Sequence, residues 1–171
     1  MKLKIKLIQT LIVQLEEKFK ILQASALEAK EAATNEESKA ENKYDTRGLE
    51  ASYLAGAQAK RAKNLQDSIY VFSKIKEEEL NSTGQVAMYS VLSAELEAEN
   101  ENPDSESQMS EKKFLIVPNQ GGLTLELDGQ TYFTLTLQSP LGKSLHGKSV
   151  DDEVTVKIGE RNNFYTILSI D

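Results

Sequence analysis

The 171-residue chain has no cysteine, no tryptophan, one histidine, three prolines and nine glycines. Without a thiol there is no disulfide, no thiolate zinc site, no iron–sulfur cluster and no cysteine nucleophile. A single histidine excludes a multi-histidine metal site and leaves any Ser-His-Asp triad dependent on His146 alone. So little proline and glycine argues against a low-complexity linker protein. Positive charge is short as well: 20 Lys and Arg stand against 27 Asp and Glu, a net −7. A strongly basic nucleic-acid surface is therefore not expected, although a local basic patch stays open, and nucleic acid would be met through a protein partner. Long apolar runs are missing too. Lys2, Lys4 and Lys6 followed by Leu7–Val13 have the outline of a signal peptide, but Gln9 and Thr10 interrupt the run and a heptad pattern passes through it. The expectation is no membrane and a cytoplasmic location.

What is present divides into two unlike halves. Residues 1 to about 80 have no proline, two glycines (Gly48 and Gly56) and an abundance of Leu, Ala, Glu, Lys and Gln. Apolar residues recur in alternating steps of three and four: Ile5, Ile8, Ile12, Leu15, Phe19, Leu22, Ala26, Ala29, Ala33. That is the signature of a coiled-coil seam. A second series, Ala51, Ala55, Gln58, Ala62, Leu65, Ile69, Phe72, has the same period with one polar interruption. The polar stretch from Thr34 to Asp45 separates them. Two stripes with a short break predict an antiparallel hairpin, large residues at its base and alanines near its tip. A parallel dimeric coiled coil is the alternative, and it leaves the matched taper unexplained.

The second half changes period. Gly84–Leu92 and Lys113–Val117 read as strands; Leu123, Leu125 and Leu127 alternate with polar residues, as do Phe133, Leu135 and Leu137, and Asp128-Gly129 between them is a two-residue hairpin turn. Val154, Val156 and Ile158 alternate, Gly159–Asn163 reads as a turn, and Phe164–Ile170 is a last strand apolar on both sides. One short helix is expected: Ser139 as N-cap, Pro140 in its first turn, Leu141 and Leu145 on its buried face, Gly147 at its end. The expected fold is α+β, a helical hairpin over 1–78 and, over 79–171, a small antiparallel sheet packed on one helix. The acidic stretch Glu95–Glu111 reads as a solvated loop.

Ser139-Pro140-Leu141-Gly142-Lys143-Ser144-Leu145-His146-Gly147-Lys148, followed by Val150, Asp152 and Val154, resembles the signature of the bacterial Gre-family transcription elongation factors. Ser144 stands where that pattern has alanine, His146 where it has an apolar residue, and Asp151 where it has glycine. With the preceding hairpin, the resemblance covers nearly the whole chain. It implies an FKBP-like C-terminal domain that docks on RNA polymerase, with Ser139, Pro140, Leu141, Gly142, Lys143, Gly147 and Lys148 as docking candidates. It also implies a coiled-coil arm that enters the polymerase secondary channel, and hence a monomeric regulator of elongation without catalysis of its own.

Family members that stimulate transcript cleavage carry Asp-x-x-Glu-Asn and then a tyrosine at the arm tip, where the carboxylates help the polymerase hold a second magnesium ion. Magnesium is hard and takes oxygen ligands, and one carboxylate alone holds it weakly. Here Glu41-Asn42 matches, Tyr44 comes one residue early, and Ser38 occupies the aspartate position. Glu37 or Asp45 would have to join Glu41 as metal support. The protein brings no cofactor of its own; at most it shares the polymerase's magnesium. Three readings stay open: a tip that stimulates cleavage, a tip that occupies the channel without supporting cleavage, and an acidic hairpin end that is merely solvated.

Other features are weaker. His146 in the last turn of the short helix suits the helix dipole better than catalysis, since no nucleophile motif is present. Gly121-Gly122 is a turn. Lys60, Arg61 and Lys63 are a solvated helix face, or a cluster that helps the arm meet nucleic acid or an acidic polymerase surface. Rivals of a different class are an FKBP-like prolyl isomerase or chaperone, for which the C-terminal half offers few aromatics, and a structural coiled-coil adaptor, which would be a stable dimer.

Overall fold

The structure, a computed structural model, describes residues 1–34, 47–98, 109–159 and 161–171. The chain forms two compact units, one of Leu11–Lys74 and one of Met1–Thr10 with Ile75–Asp171. Helix α1 spans Lys2–Thr34 and α2 spans Arg47–Ser73. Both are long, free of proline and rich in strong helix formers, as the composition predicts.

Within Leu11–Lys74 the two helices lie antiparallel. Leu22 and Leu65 line one groove between them, while Ala26 of α1 and Ala55 and Ala59 of α2 line another further along. The seam positions whose side chains are described are buried or half-buried: Ile12, Leu15, Phe19, Leu22, Ala26 and Ala29 on α1, and Ala55, Gln58, Ala62, Leu65, Ile69 and Phe72 on α2. Leu15 is fully buried and Phe72 is 2% exposed, so the bulky end is the well-sealed one. Alanine pairs further along let the backbones approach but remove less apolar surface from water. Ser68 adds a buried hydroxyl to α2, which donates back to the Asn64 carbonyl at 2.9 Å.

The other unit is built on a six-stranded sheet in the order β3-β4-β2-β1-β6-β5. The strands are β1 (Val91–Ala98), β2 (Met109–Val117), β3 (Thr124–Leu127), β4 (Gln130–Thr136), β5 (Glu153–Ile158) and β6 (Arg161–Ile170). Helix α3 (Pro140–Leu145) packs on it through Leu145, which joins Val86, Leu92, Ala94, Phe114, Ile116, Val154, Val156, Tyr165 and Ile167 in one core. The fold is α+β, as expected.

Four details differ from the sequence reading. The sheet is mixed: β2 and β4 pair in parallel, Phe114 opposite Phe133 and Ile116 opposite Leu135. The β3–β4 hairpin turns on Asp128 (φ 51) and Gly129 (φ 75), and β4, rather than β3, inserts beside β2. Gly84–Leu92 is not one strand. Tyr89 sits at φ 64 in a turn closed by Ala87 N donating to Ser90 Oγ at 3.0 Å, and β1 starts only at Val91. Upstream of that turn, Val86 bonds the backbone that follows α3 instead of a neighbouring strand. The acidic stretch 95–111 is not all loop: β1 runs to Ala98 and β2 begins at Met109, with Glu95 paired to Glu111 and Glu97 to Met109. Finally, Gly159–Asn163 is shorter as a turn than expected, since Ile158 already pairs with Arg161 and β6 starts there. On β6, Tyr165 and Ile167 are buried while Phe164 and Leu168 are 42% and 45% exposed, so only one face of the last strand is in the core.

Candidate docking site

The segment from Ser139 to Lys148 is held by bonds at both of its ends. Ser139 Oγ accepts from Gly142 N at 3.1 Å and donates to the Thr136 carbonyl at 2.7 Å. One hydroxyl thus caps α3 and ties it to the end of β4. Pro140 fills the first turn, where its missing N–H costs nothing. Ser144, in the place of the resembling pattern's alanine, turns its hydroxyl back to the Pro140 carbonyl at 3.2 Å.

Gly142 is required by space, not by backbone angle. A Cβ there would strike the Thr136 carbonyl oxygen and come within 2.8 Å of its carbon and 3.0 Å of Leu137 Cα. The helix therefore crosses the end of β4 at backbone-to-backbone distance. Sequence reasoning marks Gly142 but not its partner, Thr136, because nothing in the sequence links a threonine at the end of a strand to a glycine six positions on.

At its C-terminal end α3 is stopped by Gly147 at φ +76, a conformation that suits glycine. Gly147 N donates to the Val86 carbonyl at 2.8 Å and Val86 N to the Lys148 carbonyl at 2.8 Å, a reciprocal pair that fastens the exit of α3 to the core. Asp151, where the resembling pattern has glycine, takes φ 68. That position favours glycine, and aspartate is among the residues that best tolerate it. Asp152 then closes a turn by accepting from Ser149 N through Oδ2 at 2.8 Å.

Of the seven docking candidates, Ser139, Gly142 and Gly147 build the scaffold, and Leu141 packs against the core beneath it. Pro140 and Lys143 are exposed, Lys148 is half-buried, and His146, also exposed, follows α3 as its C-cap. The outer surface of α3 is therefore a small rigid knob presenting a proline, a lysine and a histidine. Among the described residues no group of His, Asp and Glu is arranged to hold a metal ion. The tip candidates Glu37, Glu41 and Asp45, with Ser38, Asn42 and Tyr44, lie outside the described residues.

Three further groups carry unusual electrostatics that the sequence did not announce. Lys4 is 1% exposed, and its Nζ donates to the Leu80 carbonyl at 2.9 Å. Burial holds its ammonium below the ordinary 10.5, with Asp171 acting in the opposite direction. Burial raises the Tyr89 phenol, assisted by Glu79, and burial alone raises that of Tyr165.

No family model matches the chain, and no curated protein does. Solved structures similar to it include a GreA factor homolog, Gfh1, of Thermus thermophilus, at 22% identity over 94% of both chains with a TM-score of 0.32. A structure described as the transcription factor Gfh1 is 21% identical over 93% of this chain and 92% of that one, with a TM-score of 0.36. Gfh1 of Thermus aquaticus is 19% identical over 92% and 91%, with a TM-score of 0.33.

Proposed function

We propose that the protein is a regulator of transcription elongation that binds RNA polymerase, without catalysis of its own. The observation that carries this reading is the Ser139–Lys148 segment. Its sequence resembles the Gre-family signature, and three of the residues that carry the resemblance have a clear physical role. Ser139 caps the helix, Gly142 admits the β4 backbone and Gly147 ends the helix. The result is a preformed contact surface at Pro140 and Lys143, which suits docking because little ordering entropy remains to be lost on binding. The antiparallel pair α1–α2 serves as the arm that reaches into the secondary channel. Nucleic acid is met only inside the transcription complex, and the partner is a polymerase holding its own magnesium.

Two modes of action follow from the tip sequence. In the first, Glu41 with Glu37 or Asp45 supports the polymerase's magnesium and cleavage of backtracked RNA is stimulated. In the second, favoured by Ser38 at the aspartate position, the arm occupies the channel and competes with cleavage factors. Purified protein added to stalled, backtracked polymerase complexes with magnesium tests both. Shortened RNA, lost in Glu41→Gln, supports the first. Slower cleavage in the presence of an authentic cleavage factor supports the second. Failure of the chain to bind polymerase at all would sink the proposal, and isomerisation of a proline peptide would replace it with the rival FKBP-like activity.

A further inference from the structure

On one flank of the helix pair, Lys18, Ile21 and Leu22 of α1 and Arg61, Asn64 and Leu65 of α2 line an open groove of about 480 Å3. Each helix contributes the same spacing: a cation, then the residues three and four further on, which share its face. The floor is aliphatic. Ile21 is 69% exposed, and Leu22 and Leu65, though seam residues, are only half-buried. Two helices cannot cover their own flanks; a bundle closes such a groove with a third.

The rim has one sign. Among the described residues no carboxylate lines the groove, while Lys18 stands on one wall and Arg61 on the other. Neither enters an ion pair with a described residue, whereas Lys63, two positions from Arg61, is paired with Asp67 at 3.6 Å. An aliphatic floor between two cationic walls is complementary to a helix with an apolar stripe flanked by carboxylates.

We propose that this groove is a docking site for an acidic amphipathic helix of a partner protein. The partner's apolar residues enter between Ile21 and Leu65, and its carboxylates meet Lys18 and Arg61. Nucleic acid suits the groove less well: the floor offers no aromatic ring for a base to stack on, and two cations neutralise few phosphates. A second copy suits it less well because chains of net −7 repel one another. This inference stands apart from the polymerase reading.

The test uses the full chain and a short fluorescent synthetic helix with leucines on one face and glutamates on both flanks, read by anisotropy. A companion peptide has lysines in place of the glutamates. The expected result is saturable binding of the glutamate peptide that weakens with salt. Arg61→Glu, an exposed substitution that leaves the seam intact, should weaken it about tenfold, and Lys18→Glu with Arg61→Glu should reverse the preference toward the lysine peptide. Ile21→Ser should weaken both by a few-fold, on the order of the loss of one buried aliphatic side chain. Equal binding of the two peptides by the wild-type chain overturns the proposal, and so does an unchanged preference in Arg61→Glu. Displacement of the glutamate peptide by single-stranded RNA would assign the groove to nucleic acid instead. Concentration-dependent dimerisation abolished by Arg61→Glu would assign it to a second copy.

Discussion

Gly142→Ala is the sharpest perturbation available, because two effects of opposite sign meet at one atom. Helix propensity favours alanine by about 1 kcal/mol in a helix interior. Against it stand the Thr136 carbonyl oxygen, the Thr136 carbon at 2.8 Å and Leu137 Cα at 3.0 Å from the added methyl. All three are backbone atoms at the end of β4, so no side chain can rotate away. Either α3 or the end of β4 must move, and each is tied: Ser139 bonds Thr136, Leu145 is fully buried in the core, and Gly147 bonds Val86. Overpacking of this kind costs about 1–3 kcal/mol, and rigid neighbours place it at the upper end. The net expectation is a loss of about 2 kcal/mol, or on the order of 5–10 °C in Tm for a unit of this size. Gly56→Ala supplies the control. Gly56 lies inside α2 with nothing within 4 Å of an added Cβ, so only propensity acts and about 0.5–1 kcal/mol should be gained. Urea denaturation of the full chain followed by circular dichroism, with hydrogen exchange at Leu145 and Val86 to locate the change, measures both. If Gly142→Ala matches or exceeds wild-type stability, α3 does not cross β4 at backbone distance, and the account of the Ser139–Lys148 knob is wrong.

Ser139→Ala removes both the cap to Gly142 N and the bond to the Thr136 carbonyl, and should cost about 1 kcal/mol in the same urea titration, with Ser139→Asp recovering the cap but not the donated bond. Lys4 has a folded pKa below 10.5, so in the window between that lowered value and 10.5 the unfolded chain binds more protons and the lysine's contribution to stability rises with pH. The stability difference between wild type and Lys4→Met should therefore move in favour of wild type as pH climbs toward 10.5; a difference independent of pH would remove Lys4 as a buried cation. Tyr89 and Tyr165 act the other way: with phenols raised above 10.0 they titrate first in the unfolded chain, so wild-type stability should fall as pH passes above 10, and Tyr165→Phe should lessen the fall. Glu95 lies directly opposite Glu111 across β1 and β2, and like charges there repel, so Glu95→Thr should stabilise by a few tenths to about 1 kcal/mol in the same urea titration at low salt.

Local chemistry is legible in the sequence wherever it acts within a few residues. The helical period of the seam, the Asp128-Gly129 turn, the Ser139 cap, Pro140 in the first turn of α3 and the Gly147 stop are all decided by neighbours along the chain, and the structure has each at the expected position. The acidic arms of β1 and β2 look like loop in the sequence for the converse reason. Glutamates carry low strand propensity, and only pairing with the partner strand at Glu95–Glu111 and with β6 at Glu97–Phe164 holds them extended. Tertiary structure alone decided that β4 runs parallel to β2, because a hairpin specifies its own turn and says nothing of which of its two strands joins the sheet. It alone placed Thr136 against Gly142 and buried Lys4 beneath Leu80, contacts between residues whose types predict no such meeting. It also set Lys18 and Arg61 on opposite walls of one groove, since the register of two helices depends on where the chain turns back and not on the stripe that each one carries.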